Sequence, residues 1–361
     1  MTTLITGATG FIGRHLAAAL TAQGNPVLAL MRRPDRLQTL RRRIDDLGGD
    51  GKLLAGMAGD LDLPALGLQG EPPDINVVVH LGATFAWGLD PRAARRTNVD
   101  GALAVAELAR RNGARLVMIS GFMMENNAHL QRLGISPDDP DGADWRRVYT
   151  RAGAYEASKL EGALRVRAFA NRHGMQLIEV QPATVAGHSV SGELDPAQPL
   201  FSLIDNLAHG RFAMVPGTPA HWLPLVSVDG LAALIAAAVL AQTVPERLLA
   251  LDPDTPNLAG LLAGIAAELD RKPPTRHIPI ALLAGLLKIP GMPRLMNTSA
   301  ESLHFLQTTR FNTSVTAAFL EAQGLKWAPM EDSVRASAAY WRSHSQAQSA
   351  VAGEHLHLRR H

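Results

Sequence analysis

Residues 2–22 limit the architectures open to this chain more than any other stretch. Residues 2–5 (TTLI) have the character of a short buried strand. Thr6-Gly7-Ala8-Thr9-Gly10-Phe11-Ile12-Gly13 then turns the chain directly into a helix expected over residues 14–22. Glycines at 7, 10 and 13 suit a tight turn, an open approach to backbone N–H groups, and close packing of helix on strand. A helix N-terminus reached this way presents unpaired amides and a partial positive charge, which suits phosphate groups. The spacing is G-x-x-G-x-x-G instead of G-x-G-x-x-G, so the turn points to a dinucleotide only if the rest of the chain supplies the matching sheet.

The rest of the chain alternates in the required way. Strands are expected at 26–31, 53–56, 75–83, 115–120 and 176–180, with helices between them, the pattern of a doubly wound parallel sheet of Rossmann type. The strand at 26–31 ends in Arg32-Arg33-Pro34 with no carboxylate at its tip. In dinucleotide folds this tip meets the adenosine ribose, and arginine there suits a 2′-phosphate. The sequence therefore favours NADP(H) over NAD(H), with Arg32 or Arg33 on the phosphate and Arg14 as a second contact. Asp60 follows the third strand, where a carboxylate could accept from the adenine amine, although a lone Asp also serves as a turn residue. His80, within the apolar run Val77-Val78-Val79-His80, is expected to be a satisfied core histidine.

Tyr155 and Lys159 lie four residues apart on a predicted helix, so both side chains leave one face. An ammonium beside a phenol would lower the phenol's pKa and make Tyr155 a general acid toward a carbonyl oxygen. The chain has only three tyrosines, which makes a chance Y-x-x-x-K at this place in the strand order uncommon.

Composition narrows the classes further. There is no cysteine, which excludes disulfides, thiolate metal sites and cysteine nucleophiles, and the histidines near residues 355–361 lack ligand spacing. No metal is expected. Thirty-five basic residues nearly balance 33 acidic ones, so no nucleic-acid footprint is expected. The longest apolar runs fall well short of the roughly 20 residues that span a bilayer. No secretory signal opens the sequence, and a soluble cytoplasmic protein is expected.

The second half leaves the alternating pattern. Residues 278–296 are strongly apolar and broken by Pro290 and Pro293. They read as a buried helix pair, or as a cap that faces lipid or lines an acyl-chain site. The expected organisation is a dinucleotide domain at 1–187 plus 224–251, a smaller, mainly helical substrate domain at 188–223 plus 252–344, and a flexible tail at 345–361.

With these residues assembled, the chain resembles the extended short-chain dehydrogenase/reductase superfamily. The matching pieces are residues 6–13, Gly59-Asp60-Leu61, residues 79–83, Asn98-Val99-Asp100-Gly101, residues 155–159 and residues 181–187. It is most similar to the branch of fatty acyl and thioester reductase domains, through Leu66-Gly67-Leu68, residues 154–161 and residues 222–229. The resemblance implies Tyr155 as catalytic acid or base and Lys159 on the nicotinamide ribose. It also implies cofactor contacts from Gly7, Thr9, Gly10, Phe11, Ile12, Gly13, Asp60, Leu61, Leu81, Gly82, Ala83, Pro182 and Val185, with Asn98 bracing the active-site helix.

One departure stands out. Where the superfamily carries a Ser or Thr that holds the substrate oxygen, this chain has Gly121, so either Ser120 or a backbone N–H of Gly121 or Phe122 must substitute, or catalysis is impaired. The expected activity is NADPH-dependent reduction of a carbonyl or acyl thioester on an apolar small molecule, by a chain that could form a homodimer. The alternatives are an NAD-retaining nucleotide-sugar epimerase or dehydratase, and a non-catalytic NADP(H)-binding sensor.

Overall fold

The structure, a computed structural model, describes residues 1–70, 74–86 and 88–358, with side chains described as far as Ser345. It divides into two compact units. The first comprises residues 1–183, 229–251 and 311–326, and the second comprises 184–228, 252–310 and 327–361. The helix Ser314–Ala322, expected with the C-terminal domain, packs instead on a strand of the first unit. Residues 345–358 continue the helix Met330–Leu358, and residues 359–361 of the expected tail lie outside the described residues.

The first unit is a seven-stranded parallel sheet flanked by helices. Its strands are β1 (Thr3–Thr6), β2 (Val27–Met31), β3 (Leu54–Ala58), β4 (Val77–His80), β5 (Arg115–Ile119), β6 (Leu177–Pro182) and β7 (Arg247–Ala250). They stand in the order β7-β6-β5-β4-β1-β2-β3. β1, β2 and β4 are buried at every residue, as expected for a parallel sheet covered on both faces. β3 has mostly exposed positions, and its LAGMA sequence suits an edge.

Chain direction reverses its progress across the sheet between β1 and β4, where Ile5 pairs with Ala29 on one side and Val79 on the other. At such a switch point the connections leave to opposite sides and open a crevice at the carboxyl ends of the strands. The helix Phe11–Ala22 leaves β1 directly, burying Leu16, Ala17 and Leu20. The 20-residue helix Ala154–His173 follows Gly153 and closes on a left-handed Gly174. Gly162 lets this helix pack tightly, since a Cβ there would stand 2.3 Å from Asn98 O.

The second unit is mainly helical. Helices Pro199–Ala208, Leu258–Glu268 and the start of Met330–Leu358 surround one apolar core that includes Leu200, Ile265, Val334 and Trp341. Two pairs of short parallel strands complete it, Thr184–Ala186 with Leu225–Ser227 and Val215–Pro216 with His277–Ile278.

Candidate functional site

The glycine turn supports the crevice at three separate points. Gly7 has φ +75°, and a Cβ on it would stand 2.8 Å from Gly82 N, so the end of β1 is pressed against the segment that follows β4. Gly10 N–H donates to Gly7 O at 2.9 Å, closing the turn. Gly13 lies on the first helical turn, where a Cβ would meet Gly7 O at 2.1 Å. The turn is thus a compact backbone cradle, with Thr9 and Gly10 exposed and no acidic side chain in the first turn of the helix.

Thr6 and His80 join the two strand ends. His80 Nδ1 and Thr6 Oγ1 are 2.8 Å apart, and Gly82 N–H donates to the same hydroxyl at 3.1 Å. Burial, with the nearby Lys159 charge, pushes the His80 pKa down to about 3, so the ring is neutral at physiological pH. It is a satisfied core histidine.

The cleft above this junction encloses about 410 Å³. Of the residues expected to hold a cofactor, it is lined by Gly7, Thr9, Gly10, Arg32, Arg33, Asp60, Leu61, Leu81, Gly82 and Ala83. Phe11, Ile12, Gly13 and Asn98 are not in its wall. Phe11 and Gly13 are buried in the helix start behind it, and Arg14 lies over the Phe11 ring at 5.1 Å. Pro182 ends β6 opposite Ala250, while Val185 belongs to the second unit, in Thr184–Ala186.

The adenosine end is more complex than the sequence suggested. Arg33 makes a two-pronged ion pair with Asp35, at 3.3 and 2.9 Å, so one of the two expected arginines already has a carboxylate partner. Arg36, which the sequence reading missed, also lines the cleft. It lies three residues beyond Arg33, on the short turn Pro34–Arg36, a spacing that could have revealed it. Asp60 lines the wall and also accepts from Asp62 N–H at 3.0 Å, so it serves the turn as well.

At the far end, Asn98 ties three segments together. Its side-chain oxygen accepts from Thr84 N–H at 2.8 Å, and its amide donates to Thr84 O at 3.2 Å and to Ser158 Oγ at 2.9 Å. It sits in a π-helical turn, Arg96–Asp100, an irregularity that projects its side chain between the loop after β4 and the helix bearing Tyr155.

Lys159 Nζ donates to Ile119 O at 2.7 Å, fixing the helix to the end of β5. Burial pulls its pKa down to about 8, against the opposing charge of Glu179. The Tyr155 ring meets Phe85 edge-on at 4.6 Å. Burial, reinforced by Glu156, pushes its phenol up to about 12. The expectation that Lys159 lowers the Tyr155 pKa is therefore corrected: the ammonium is held by a backbone carbonyl, and burial dominates at the phenol. The phenol is therefore protonated at neutral pH.

Ser120 also differs from expectation. Its hydroxyl donates to Glu179 Oε1 at 2.7 Å, and Glu179 is held in turn by Arg167 at 2.7 Å and by Gln181. The Ser120 hydroxyl thus has a buried carboxylate as its partner. Gly121 follows in extended backbone, φ 176°, with open space where a Cβ would stand. Its N–H has no partner among the described residues. The sequence missed Glu179 as a partner, although a charged residue within the apolar strand LIEVQP was a readable signal.

An α/β sheet with a backbone cradle at its switch point is the architecture of nicotinamide-dinucleotide proteins, and comparison with known proteins narrows it to NAD(P)-dependent reductases of the extended short-chain dehydrogenase type. The chain belongs to the family described as "Male sterility protein", an NAD-binding family whose model matches residues 5–235. It is 25% identical over 262 residues to the peramine synthetase of Metarhizium rileyi, covering 67% of this chain and 9% of that protein. It is 30% identical over 189 residues to a putative dihydroflavonol 4-reductase of Synechocystis, 51% of this chain and 49% of that one. The chain therefore spans less than half of either relative. In structure it is similar to the terminal R domain from the myxalamid PKS-NRPS biosynthetic pathway, with a TM-score of 0.74 at 18% identity, covering 96% of this chain and 91% of that one.

Proposed function

We propose that the chain is an NADPH-dependent reductase of a carbonyl or acyl thioester carried on an apolar body. One observation carries this reading: Tyr155 and Lys159 stand one turn apart on a single helix that Lys159 fixes to the end of β5. When bound, the nicotinamide supplies the hydride to the carbonyl carbon. Tyr155 gives its proton to the substrate oxygen as negative charge develops there, and regains a proton from water. Gly121 N–H, which has no partner among the described residues, is a donor suited to the same oxygen.

The glycine cradle and the helix N-terminus suit the pyrophosphate, and Arg32 with Arg36 suits a 2′-phosphate better than a free ribose hydroxyl. The part of the second unit built around the apolar core of Leu200, Ile265, Val334 and Trp341 is assigned to substrate recognition.

NADPH oxidation measured across aldehydes and acyl thioesters of graded length tests the reading. Tyr155→Phe is expected to lower turnover by about two to four orders of magnitude while leaving NADPH affinity nearly unchanged. Wild-type turnover in the variant would reject the assignment.

A second reading, a non-catalytic NADP(H) sensor, is favoured by one observation: the Ser120 hydroxyl is committed to Glu179 and Gly121 offers none. It requires saturable NADPH binding with no cofactor oxidation by any substrate in the same screen.

A further inference from the structure

Residues 270–296 of the second unit combine two features that neither the fold nor the reductase reading uses. The first is apolar exposure. In the helix Ile280–Leu286, Leu283 and the following Leu287 are buried against Ile278 and Leu303. The helical pitch continues past its end, with Leu287 N–H donating to Leu283 O, Lys288 N–H to Gly285 O and Ile289 N–H to Leu286 O. Leu282 and Ile289, seven residues apart and so on one face, are 57% and 51% exposed. Leu295, on the next short helix Met292–Leu295, is 71% exposed. Three of the eight large apolar side chains exposed among the described residues thus fall within fourteen residues of sequence.

The second feature is charge. Arg271, Lys272, Arg276, Lys288 and Arg294 are all exposed, and none is in an ion pair with a described residue. Asp270 is the only acid in the stretch. The whole chain carries a formal charge of only +2, so this excess is local.

Exposed leucine and isoleucine beside uncompensated cations are what an anionic bilayer surface selects. Apolar side chains enter the boundary between headgroups and acyl chains, while lysine and arginine meet lipid phosphate. A protein partner that covered the leucines alone would give no reason for five unpaired cations. No helix among the described residues is long and apolar enough to cross a membrane, so such an element would lie on the surface instead of spanning it. We propose that residues 270–296 form a docking face for an anionic lipid surface. The face is independent of the reductase reading, because it shares no residue with the cleft or with the Tyr155 helix.

Co-sedimentation of the full chain with vesicles tests it. Vesicles of about one-third phosphatidylglycerol in phosphatidylcholine are expected to pellet the protein about tenfold more than pure phosphatidylcholine, with the difference lost in about 0.5 M salt. The double variant Lys272→Glu/Arg276→Glu and, separately, Leu282→Ser/Leu295→Ser are each expected to lower binding about tenfold. Val190→Ser, at an 84% exposed position elsewhere in the unit, is expected to change nothing. Thermal midpoints of the variants confirm that they fold. Oxidation of NADPH with a short water-soluble aldehyde is expected to be unchanged in them, which separates failure of this proposal from failure of the reductase reading. Absence of wild-type binding to anionic vesicles, or binding that survives both double variants, overturns the proposal. So does a self-associating or protein-bound state that the leucine variant abolishes while vesicle binding is absent.

Discussion

Ser120 Oγ donates to Glu179 Oε1 at 2.7 Å, and both residues are almost fully buried. This bond joins the residue just past the end of β5 to the middle of β6 and commits the one hydroxyl at the expected catalytic position to the fold. Ser120→Ala would leave Glu179 with Arg167 and Gln181 only. A hydrogen bond to a buried charge contributes about 1.5–3 kcal/mol, and denaturant unfolding is expected to show a loss of that order. Turnover per folded molecule is expected to stay within about threefold of wild type, against the orders of magnitude that removal of a catalytic donor costs.

Gly121→Thr gives the converse outcome. The backbone is extended and a Cβ meets nothing within 4 Å, so the side chain enters without strain. Stability is expected to change by no more than about 0.5 kcal/mol. A hydroxyl at the position where the superfamily carries one adds a donor for the substrate oxygen, and steady-state kinetics are expected to show turnover raised by about tenfold or more, within the range that single oxyanion donors supply. Reduced turnover with unchanged folding would show instead that substrate uses the space.

These two neighbours show where the sequence was sufficient and where it was not. The glycine turn, the alternation of strands and helices, and the four-residue step from Tyr155 to Lys159 are local patterns, and periodicity alone exposes them. The partner of a side chain across the sheet is not local. Lys159 finds Ile119 O forty residues away, and Ser120 finds Glu179 fifty-nine away. Which way a strand-end hydroxyl turns depends on that partner, and spacing does not record it. Burial has the same character: the sequence placed Lys159 one turn from Tyr155 but carried no measure of the desolvation that raises the phenol's pKa.

The adenosine end supports a test of cofactor choice. Asp35 already pairs with Arg33, whereas Arg32 and Arg36 line the cleft with no ion pair to a described residue within salt-bridge distance. Arg32→Ala is expected to weaken NADPH binding by about tenfold to a hundredfold, the worth of one charge-assisted hydrogen bond, and to leave NADH binding within about twofold. Isothermal titration with both cofactors reads the ratio directly. Equal losses for the two would remove the 2′-phosphate from the account of Arg32.

His80 predicts how the fold responds to acid. Its pKa is about 3 in the folded protein, against the 6.5 of an unperturbed histidine, because the ring is buried and charging it is unfavourable. Above pH 6.5 both folded and unfolded chains hold it neutral, and it contributes no pH dependence. As pH falls below 6.5 the unfolded chain binds a proton that the folded chain refuses, so stability is lost until the folded ring titrates near 3. Integrated over that interval, the loss is about 3 kcal/mol by pH 4. His80→Asn retains an atom able to bond Thr6 but takes up no proton. Urea unfolding of the variant at a series of pH values is expected to show a slope between pH 6.5 and 4 shallower by that amount, with a constant offset above it. An unchanged acid slope would place the proton uptake on another group.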